Sequence, residues 1–325
     1  MARSNPRPAQ RGKYRSILVP LDGSPLSEQA LPLAVAIAER ARARLRLVLV
    51  FQIPSVPLSV KGQQLSVSLE LAARKSERVY LETFAQQLKK RSASLAISSR
   101  LLTGPVAGTL LEYIRQSGTD LVVMTSRGQG GLQRLWLGSV ADALIRGSPV
   151  PVLLVRPEEN PSPQPVLENL RQILVPLDRS ALAASILDPA IKLASLARAE
   201  LMLLEVIRPL ASPLQSQSAP PARLDAELTS LRRKEAADYL GNLADECLKA
   251  GVKATFSAPL GINVADTILA LAESPTVGMI ALATHGRGGL KRLALGSVAD
   301  KVVRAAPRPI LVYRPARRRR SRRTS

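Results

Sequence analysis

The chain contains the hexapeptide ILVPLD twice, at residues 17–22 and 173–178, and the hexapeptide LGSVAD twice, at residues 137–142 and 295–300. The two phrases keep their order, and the spacing between them differs by only two residues between the copies. The units of solenoid repeats are several-fold shorter than this spacing. The sequence therefore predicts two copies of a whole domain in one chain.

Length and composition indicate where these domains begin and end. The chain has 325 residues, enough for two domains that each bury a core. Residues 157–165 are rich in proline and polar residues, a composition typical of an extended spacer. We predict a basic N-terminal arm, a first domain, a linker, a second domain and an arginine-rich tail at residues 1–15, 16–157, 158–170, 171–315 and 316–325.

Each copy alternates short β-branched or leucine-rich runs with longer segments of helical apolar spacing. This alternation predicts an α/β fold with two tandem doubly wound five-stranded parallel sheets and helices on both faces. In the first copy we expect strands at 16–20, 45–51, 95–101, 120–125 and 151–155, and helices at 26–43, 65–91, 106–117 and 139–146. In the second copy we expect strands at 172–176, 200–206, 252–258, 278–283 and 309–313, and helices at 181–197, 223–250, 263–273 and 297–305.

Much of the net charge of +21 lies at the two ends of the chain. Residues 1–15 hold five basic residues and residues 314–325 hold seven, and neither segment contains an acid. Such blocks are typical of solvated tails, although an arginine-rich tail also suits a nucleic-acid backbone or an anionic membrane surface. Residues 314–325 have no interleaved aromatic residue for base stacking. Both interpretations of the C-terminal tail stay open.

Cysteine content and hydropathy bear on the compartment. Cys247 is the single cysteine, so an internal disulfide is excluded. The basic N-terminus is not followed by an apolar signal core, and no uncharged apolar run reaches the roughly 18 residues of a membrane span. We therefore predict a cytoplasmic protein with no transmembrane segment.

Ligands of a doubly wound sheet bind outside the carboxyl ends of its strands, where the strand order reverses. Asp22 and Asp178 end the predicted first strands, and a glycine-rich segment that ends in Gly-Ser follows each fourth strand, at residues 128–139 and 286–297. Glycines let backbone N–H groups approach an anion, and a Gly-Ser helix start offers unpaired amides, the positive dipole end and a hydroxyl. The pattern predicts a phosphate cradle in each copy.

Other glycine motifs fit this segment poorly. It lacks the Gly-Lys-Ser/Thr of a Walker A loop, and Gln133 and Lys291 stand where a dinucleotide fingerprint has its third glycine. A structural interpretation also remains, in which Ser139 and Ser297 cap helices and the glycines turn the chain.

These motifs resemble those of the universal stress protein family, and the resemblance covers both domains but neither the tails nor the linker. The family's nucleotide motif is Gly-x2-Gly-x9-Gly-Ser/Thr, and both copies match it from the second glycine onward. The matching residues are Gly128, Gly138, Ser139, Gly286, Gly296 and Ser297. Both copies depart from the motif at the first glycine, which is Thr125 in one copy and Ala283 in the other.

The resemblance implies that each copy binds ATP, with ADP or AMP as alternatives, and that any Mg²⁺ is held through the nucleotide phosphates. The implied contacts run from the base and ribose, through the α-phosphate, to the terminal phosphates at the Gly-Ser-Val helix start. In the first copy the implied residues are Pro20, Asp22, Val50, Thr125, Arg127, Gly128, Gly138, Ser139 and Val140. In the second copy they are Pro176, Asp178, Val206, Ala283, His285, Gly286, Gly296, Ser297 and Val298.

Two substitutions bear on how well these pockets work. Thr125 is bulkier than the glycine of the motif and would crowd the ribose or α-phosphate in the first copy. In the second copy Arg179 replaces Gly23. A large cation beside the base would either narrow the pocket or add a phosphate contact.

The same residues speak against catalysis. His285 is the only histidine, and its counterpart Arg127 stays protonated and is a poor general base. The sequence also lacks a metal-binding cluster. We therefore predict neither catalytic residues nor a metal site in the protein itself, and we leave only slow ATP hydrolysis open.

The last strand of each copy is an apolar edge that seeks a pairing partner. In the resembled family these edges join two domains, so the resemblance implies that the copies pair within this chain as a pseudo-twofold module. Three functions follow: a non-catalytic nucleotide-binding stress-response regulator, an interaction scaffold with degenerate pockets, and a stress protein that associates with nucleic acid through its tails. A homodimer or another protein partner is compatible with each of them.

Overall fold

The computed structural model describes residues 13–52, 60–127, 137–157, 167–209, 222–284 and 295–315. The elements of the first half are β1 Ser16–Leu21, α1 Pro25–Glu28, α2 Leu31–Ala41, β2 Arg44–Phe51, α3 Val60–Arg91, β3 Ile97–Thr103, α4 Val106–Gln116, β4 Leu121–Thr125, α5 Ser139–Gly147 and β5 Val152–Val155. A 3-10 helix, Leu167–Asn169, precedes the second half. The elements of that half are β6 Gln172–Pro176, α6 Ala181–Ala184, α7 Leu187–Ala197, β7 Glu200–Leu204, α8 Ala222–Lys249, β8 Ala254–Ser257, α9 Val264–Ala272, β9 Val277–Ala283, α10 Ser297–Ala305 and β10 Ile310–Tyr313.

The described strands form one ten-stranded sheet with the order β3-β2-β1-β4-β5-β10-β9-β6-β7-β8. Neighbouring strands within each half are parallel, whereas β5 and β10 are antiparallel, with Leu153 opposite Leu311. The predicted fold class is confirmed, including the pairing of the two copies through their last strands. The two halves are therefore related by a pseudo-twofold axis at the β5–β10 seam.

Burial of the central strands explains why this sheet forms. All six residues of β1 are buried, as expected for a parallel strand covered on both faces. Ile17 faces one apolar core and Leu18 the other, and each core continues through both halves of the molecule. Full burial of one such side chain contributes about 1.5–3 kcal/mol. The sheet thus joins the two copies into one packed body.

Contacts between helices α2 and α7 reinforce the seam. These helices pack against each other across the pseudo-twofold axis. Arg40 of α2 donates from Nη1 to the Leu196 carbonyl oxygen of α7 at 2.9 Å. The hydroxyl of Tyr14, before β1, donates to the carbonyl oxygen of Pro189 at 3.2 Å. Equivalent helices of the two domains are therefore in direct contact at the seam.

Two helix predictions were wrong in detail. The helix expected at 26–43 is divided into α1 and α2, and the helix expected at 181–197 is divided into α6 and α7. Pro32 and Pro189 lie in the first turns of α2 and α7 and have no N–H to bond to the preceding turn. Each proline therefore starts a new helix instead of continuing the one before it.

Two other segments also differ from expectation. β7 ends at Leu204, so Val206 lies beyond the strand that was predicted to extend through it. Leu167 and Leu170, which fall in the predicted linker, are buried. Burial of these two leucines attaches the end of that segment to the core.

Candidate functional site

The reversal of strand order places one crevice in each half. β1 lies between β2 and β4, and β6 lies between β7 and β9. The connections that leave β1 and β4 therefore diverge, and their carboxyl ends define the point where ligands of such sheets bind. The residues that follow β1, β4, β6 and β9 are therefore the candidate ligand contacts.

A hydrogen-bonded turn follows β1. The Oδ1 atom of Asp22 accepts from the backbone N–H of Ser24 at 3.0 Å and from its hydroxyl at 2.6 Å. Ser24 Oγ accepts in turn from the N–H of Ser27 at 3.2 Å and caps α1, which packs against β4. Asp22 is exposed at this point. The predicted aspartate is thus held at the rim of the first crevice.

The second half repeats the turn with the same bonds. Asp178 Oδ1 accepts from the N–H of Ser180 at 3.0 Å and from its hydroxyl at 2.5 Å. Ser180 Oγ accepts from the N–H of Ala183 at 3.0 Å and caps α6. The site prediction did not include Ser24 or Ser180. The Asp-x-Ser spacing was the signal, because an Asx turn links a side chain to the backbone two residues on.

The end of β4 and the start of α5 lie against each other. The N–H of Gly138 donates to the carbonyl oxygen of Ser126 at 2.8 Å. Thr125 is 4% exposed, and its hydroxyl donates to the carbonyl oxygen of Arg127 at 2.6 Å. The threonine that we expected to crowd the nucleotide is therefore buried in a closed turn at the strand end.

Both Gly-Ser helix starts leave their first amides without a side-chain cap from the described residues. Gly138 is the N-cap of α5 and Gly296 the N-cap of α10, and the hydroxyl-bearing Ser139 and Ser297 that follow them are exposed. The first N–H groups of a helix have no partner inside the helix and carry its positive dipole end. The two starts are chemically suited to a phosphate. Val140 and Val298 continue these starts into the first turn.

The two N-cap glycines nevertheless differ in backbone conformation. Gly138 has φ −71°, which any residue adopts, and a Cβ placed on it would lie 3.4 Å from the carbonyl oxygen of Ser126. Gly296 has φ 78° and ψ 144°, a region that is essentially restricted to glycine. The second helix start is therefore built differently from the first.

The remaining predicted residues occupy the strand ends. Pro20 is in β1 and Pro176 ends β6, while Val50 is half-buried near the end of β2. Val206 is half-buried beyond β7, and Ala283 ends β9. Gly128, His285 and Gly286 lie outside the described residues. Of the predicted nucleic-acid or membrane segment 314–325, the structure describes only residues 314 and 315.

Arg179 takes the backbone conformation of the glycine that it replaces and makes contacts within the protein. Its φ is 62°, and that of Gly23 is 80°. Its Nε donates to both carboxylate oxygens of Glu205, at 2.9 and 3.1 Å, and its Nη1 donates to Glu235 at 2.9 Å. Its Nη2 donates to the carbonyl oxygen of Arg232 at 3.1 Å. The hydrogen bonds to Glu205 and Glu235 raise the pKa of Arg179.

A separate open cleft of about 440 Å³ lies at the junction of the halves, and it shares no lining residue with the predicted nucleotide contacts. It is lined by Arg156, Asp300, Lys301, Arg304 and Ala305. Arg304 is paired with Asp300 at 2.8 Å, and Lys301 with Asp266 at 2.6 Å. Asp300, Lys301 and Arg304 of the cleft are thus each paired with an oppositely charged side chain of the protein.

The described ranges contain neither a candidate metal cluster nor a candidate membrane-spanning helix. There, no three His, Cys, Asp or Glu side chains come together in a way that could hold a metal ion. None of the helices in those ranges combines the length and the apolar character needed to cross a membrane.

Two fused doubly wound domains, each with an aspartate turn after its first strand and a Gly-Ser helix start after its fourth, define a duplicated α/β protein with one strand-end crevice per domain. The profile of the Universal stress protein family matches residues 13–156 and 169–314. The chain belongs to the universal stress protein family.

Individual relatives agree with this assignment. Universal stress protein Rv1996 of Mycobacterium tuberculosis is 28% identical over 316 residues, which are 92% of this chain and 94% of that protein. Universal stress protein MJ0531 of Methanocaldococcus jannaschii is 31% identical over 146 residues, which are 44% of this chain and 82% of that protein. A crystal structure of a universal stress protein from Archaeoglobus fulgidus has the same fold, with a TM-score of 0.66 and 20% identity over 93% of this chain and 98% of that one.

Proposed function

We propose that this protein is a non-catalytic stress-response regulator that binds ATP in the crevice between β1 and β4. The start of α5 is the observation that carries the proposal. The N–H of Gly138 is bonded to Ser126, directly after β4, Ser139 is exposed, and the amides of the first turn have no side-chain cap from the described residues. A helix start of this kind suits the phosphates of a nucleotide.

The opposite side of the crevice suits the base and ribose. Asp22 is fixed at the rim by its two bonds to Ser24, and the half-buried Val50 lies one strand away, near the end of β2. An ordered carboxylate accepts hydrogen bonds from a ribose or a base, and the valine offers an apolar contact. ADP and AMP share these groups and stay alternatives to ATP.

A binding role explains the available side chains better than catalysis does. His285 is the only histidine of the chain, and the equivalent Arg127 keeps its proton and cannot serve as a general base at neutral pH. Any Mg²⁺ would be coordinated mainly through nucleotide phosphate oxygens. Nucleotide occupancy would then alter the surface that the protein presents to a partner protein. A second copy of this chain is one candidate for that partner. We propose that this regulation takes place in the cytoplasm.

Calorimetric titration of ATP into nucleotide-stripped protein tests this proposal. Gly138→Asp places a carboxylate at the helix start, and we expect it to weaken ATP binding at least about tenfold, or about 1.4 kcal/mol. Ser94→Asp is the control, because it adds the same charge at an exposed position that precedes β3, at the amino end of a strand.

The outcomes are distinct. Heat of binding that Gly138→Asp removes and Ser94→Asp preserves supports a nucleotide site at α5. The absence of heat and of thermal stabilisation of the wild-type protein at millimolar ATP would contradict the proposal and favour the scaffold alternative.

A further inference from the structure

The turn after β6 carries an arginine side chain where the equivalent turn after β1 has a glycine. A Cβ placed on Gly23 would meet no described atom within 4 Å. Arg179 occupies the same position in the second turn, with φ 62°. The other described non-glycine residues with positive φ, Arg42 and Arg198, lie at the carboxyl ends of α2 and α7. Arg179 alone among these three stands at a strand-end turn.

Glu205 is a matched change on the neighbouring strand. In the first half Pro20 pairs with Val48, and in the second half Pro176 pairs with Leu204. Glu205 therefore corresponds to Leu49, which is 3% exposed in the core of the first half. The second half thus carries a guanidinium and a carboxylate where the first carries a hydrogen atom and a buried methyl-bearing chain.

The contacts of Arg179 connect three elements of the second half. Glu205 follows β7, has a side chain that is only 12% exposed, and receives both hydrogen bonds of Nε. Glu235 and the carbonyl oxygen of Arg232 belong to α8 and receive the other two bonds. Arg179, Glu205, Glu235 and the Arg232 carbonyl, here called the Arg179 cluster, tie the end of β6 to the end of β7 and to α8.

The cluster crosses the carboxyl ends of β6 and β7, next to two residues expected to meet a base in the second crevice. Asp178 immediately precedes Arg179, and Val206 immediately follows Glu205. Charge-assisted hydrogen bonds are stronger than neutral ones, and a base entering here would have to break them. The side chains of the cluster carry a net negative charge, so they offer no attraction to phosphates in exchange.

We propose that the Arg179 cluster closes the base side of the second crevice, so that each chain binds one nucleotide, in its first domain. This inference rests on the proposed function, because it assumes that the first crevice binds ATP. It resolves the two alternatives for Arg179 in favour of a narrowed pocket. The second domain then serves the β5–β10 seam and not nucleotide binding.

The stoichiometry of ATP binding tests the inference on the full chain. We expect one ATP per chain for the wild type and two for Arg179→Gly combined with Glu205→Leu, which restores the residues of the first half. Adding Gly138→Asp to the double variant should return the count to one and leave the new site in the second domain. Arg198→Gly is the control, because it removes an arginine of the same backbone conformation from the opposite edge of the second half.

Photolabelling with an azido-ATP locates the site in the unaltered protein, so the test does not depend on the folding of a variant. We expect labelled peptides from residues 16–157 and none from residues 171–315. Labelling of both ranges, or two equal sites in the wild type, would overturn the inference and leave the proposed function intact. A folded double variant that still binds one ATP would also overturn it. Absence of binding in every variant would instead reject the proposed function, and the inference with it.

Discussion

The two halves of the molecule share their framework and differ at the mouth of the crevice. Both have an Asp-x-Ser turn with equivalent bonds, and the ion pair between Asp142 and Arg146 in α5 recurs between Asp300 and Arg304 in α10. The changes fall where a ligand would enter, at the turn after the first strand and at the helix start. The two copies thus share the hydrogen bonds at the strand ends and differ at the positions that we propose to face a ligand.

A pair of tyrosines shows the same divergence behind the crevice. Tyr80 of α3 donates to a carboxylate oxygen of Glu28 at 2.7 Å. Tyr239 of α8 has a buried hydroxyl that finds no hydrogen-bond partner in the described part of the chain. Burial raises the pKa of Tyr239, and the nearby carboxylates of Asp178 and Glu205 add to the effect. The second half therefore lacks this internal bond and has the Arg179 cluster, which the first half does not have.

The largest expected effect concerns the β5–β10 seam, to which the two halves contribute equivalent residues. Leu153 and Leu311 face each other at the seam and are fully buried. We expect Leu153→Asp and Leu311→Asp each to lower the free energy of unfolding by about 4 kcal/mol or more, because each buries an unpaired carboxylate. Urea denaturation measures the loss. Leu69→Asp, at a side chain that is 62% exposed, is the control and should cost less than about 0.5 kcal/mol.

A smaller effect should separate the two helix starts. Gly296→Ala forces a side chain into a conformation restricted to glycine, and we expect it to lower the free energy of unfolding by about 1–3 kcal/mol. Gly138→Ala keeps an ordinary φ and should cost less than about 0.5 kcal/mol, since its Cβ reaches only van der Waals contact. Chemical denaturation of both variants measures the difference, and equal losses would mean that the two starts do not differ as described.

The strand-end turns should respond alike in stability and differently in binding. Ser24→Ala and Ser180→Ala each remove a helix cap, and we expect each to cost about 1 kcal/mol. Ser24→Ala should also weaken ATP binding, because Asp22 loses the hydrogen bond from the Ser24 hydroxyl, whereas Ser180→Ala should leave ATP affinity unchanged. Thermal unfolding and calorimetry measure the two effects, and the exposed Ser94→Ala is the control. Equal weakening by both variants would point to two working sites.

The smallest effect concerns the tyrosine pair. Tyr80→Phe removes a bonded hydroxyl, and we expect it to lower the free energy of unfolding by about 1 kcal/mol. Tyr239→Phe removes an unpaired hydroxyl, so the free energy of unfolding should stay the same or rise. Urea denaturation of the two variants compares them directly. A loss in Tyr239→Phe as large as that in Tyr80→Phe would show that the Tyr239 hydroxyl has a partner.

The fold could be predicted from the sequence because the patterns that specify it are local and occur twice. The duplicated phrases identify two domains, and the alternation of apolar runs with helical spacing identifies a doubly wound sheet. Both aspartates lie at strand ends because the phrase ILVPLD contains a buried strand and its turn. The division of the helices at Pro32 and Pro189 was missed, although proline has no N–H for the helix ladder.

The difference between the crevices could not be predicted, because it depends on contacts between distant residues. Arg179 and Glu205 are adjacent only after β6 and β7 pair, and Glu235 reaches them from α8. The sequence presents Arg179 as a cation beside the predicted base pocket, and only the fold reveals the carboxylates that hold it. The conformation of Gly296 is likewise a product of packing, because LGSVAD is identical in both copies.

A crystal structure of the full chain grown with ATP tests the central claim most directly. The account predicts density for a nucleotide in the first crevice, with its phosphates on the amides of Ser139 and Val140, and an intact Arg179 cluster in a second crevice without nucleotide. Density in both crevices would contradict the asymmetry. A crystal grown at saturating ATP would contradict the nucleotide site itself if neither crevice were occupied, or if the phosphates lay away from the start of α5.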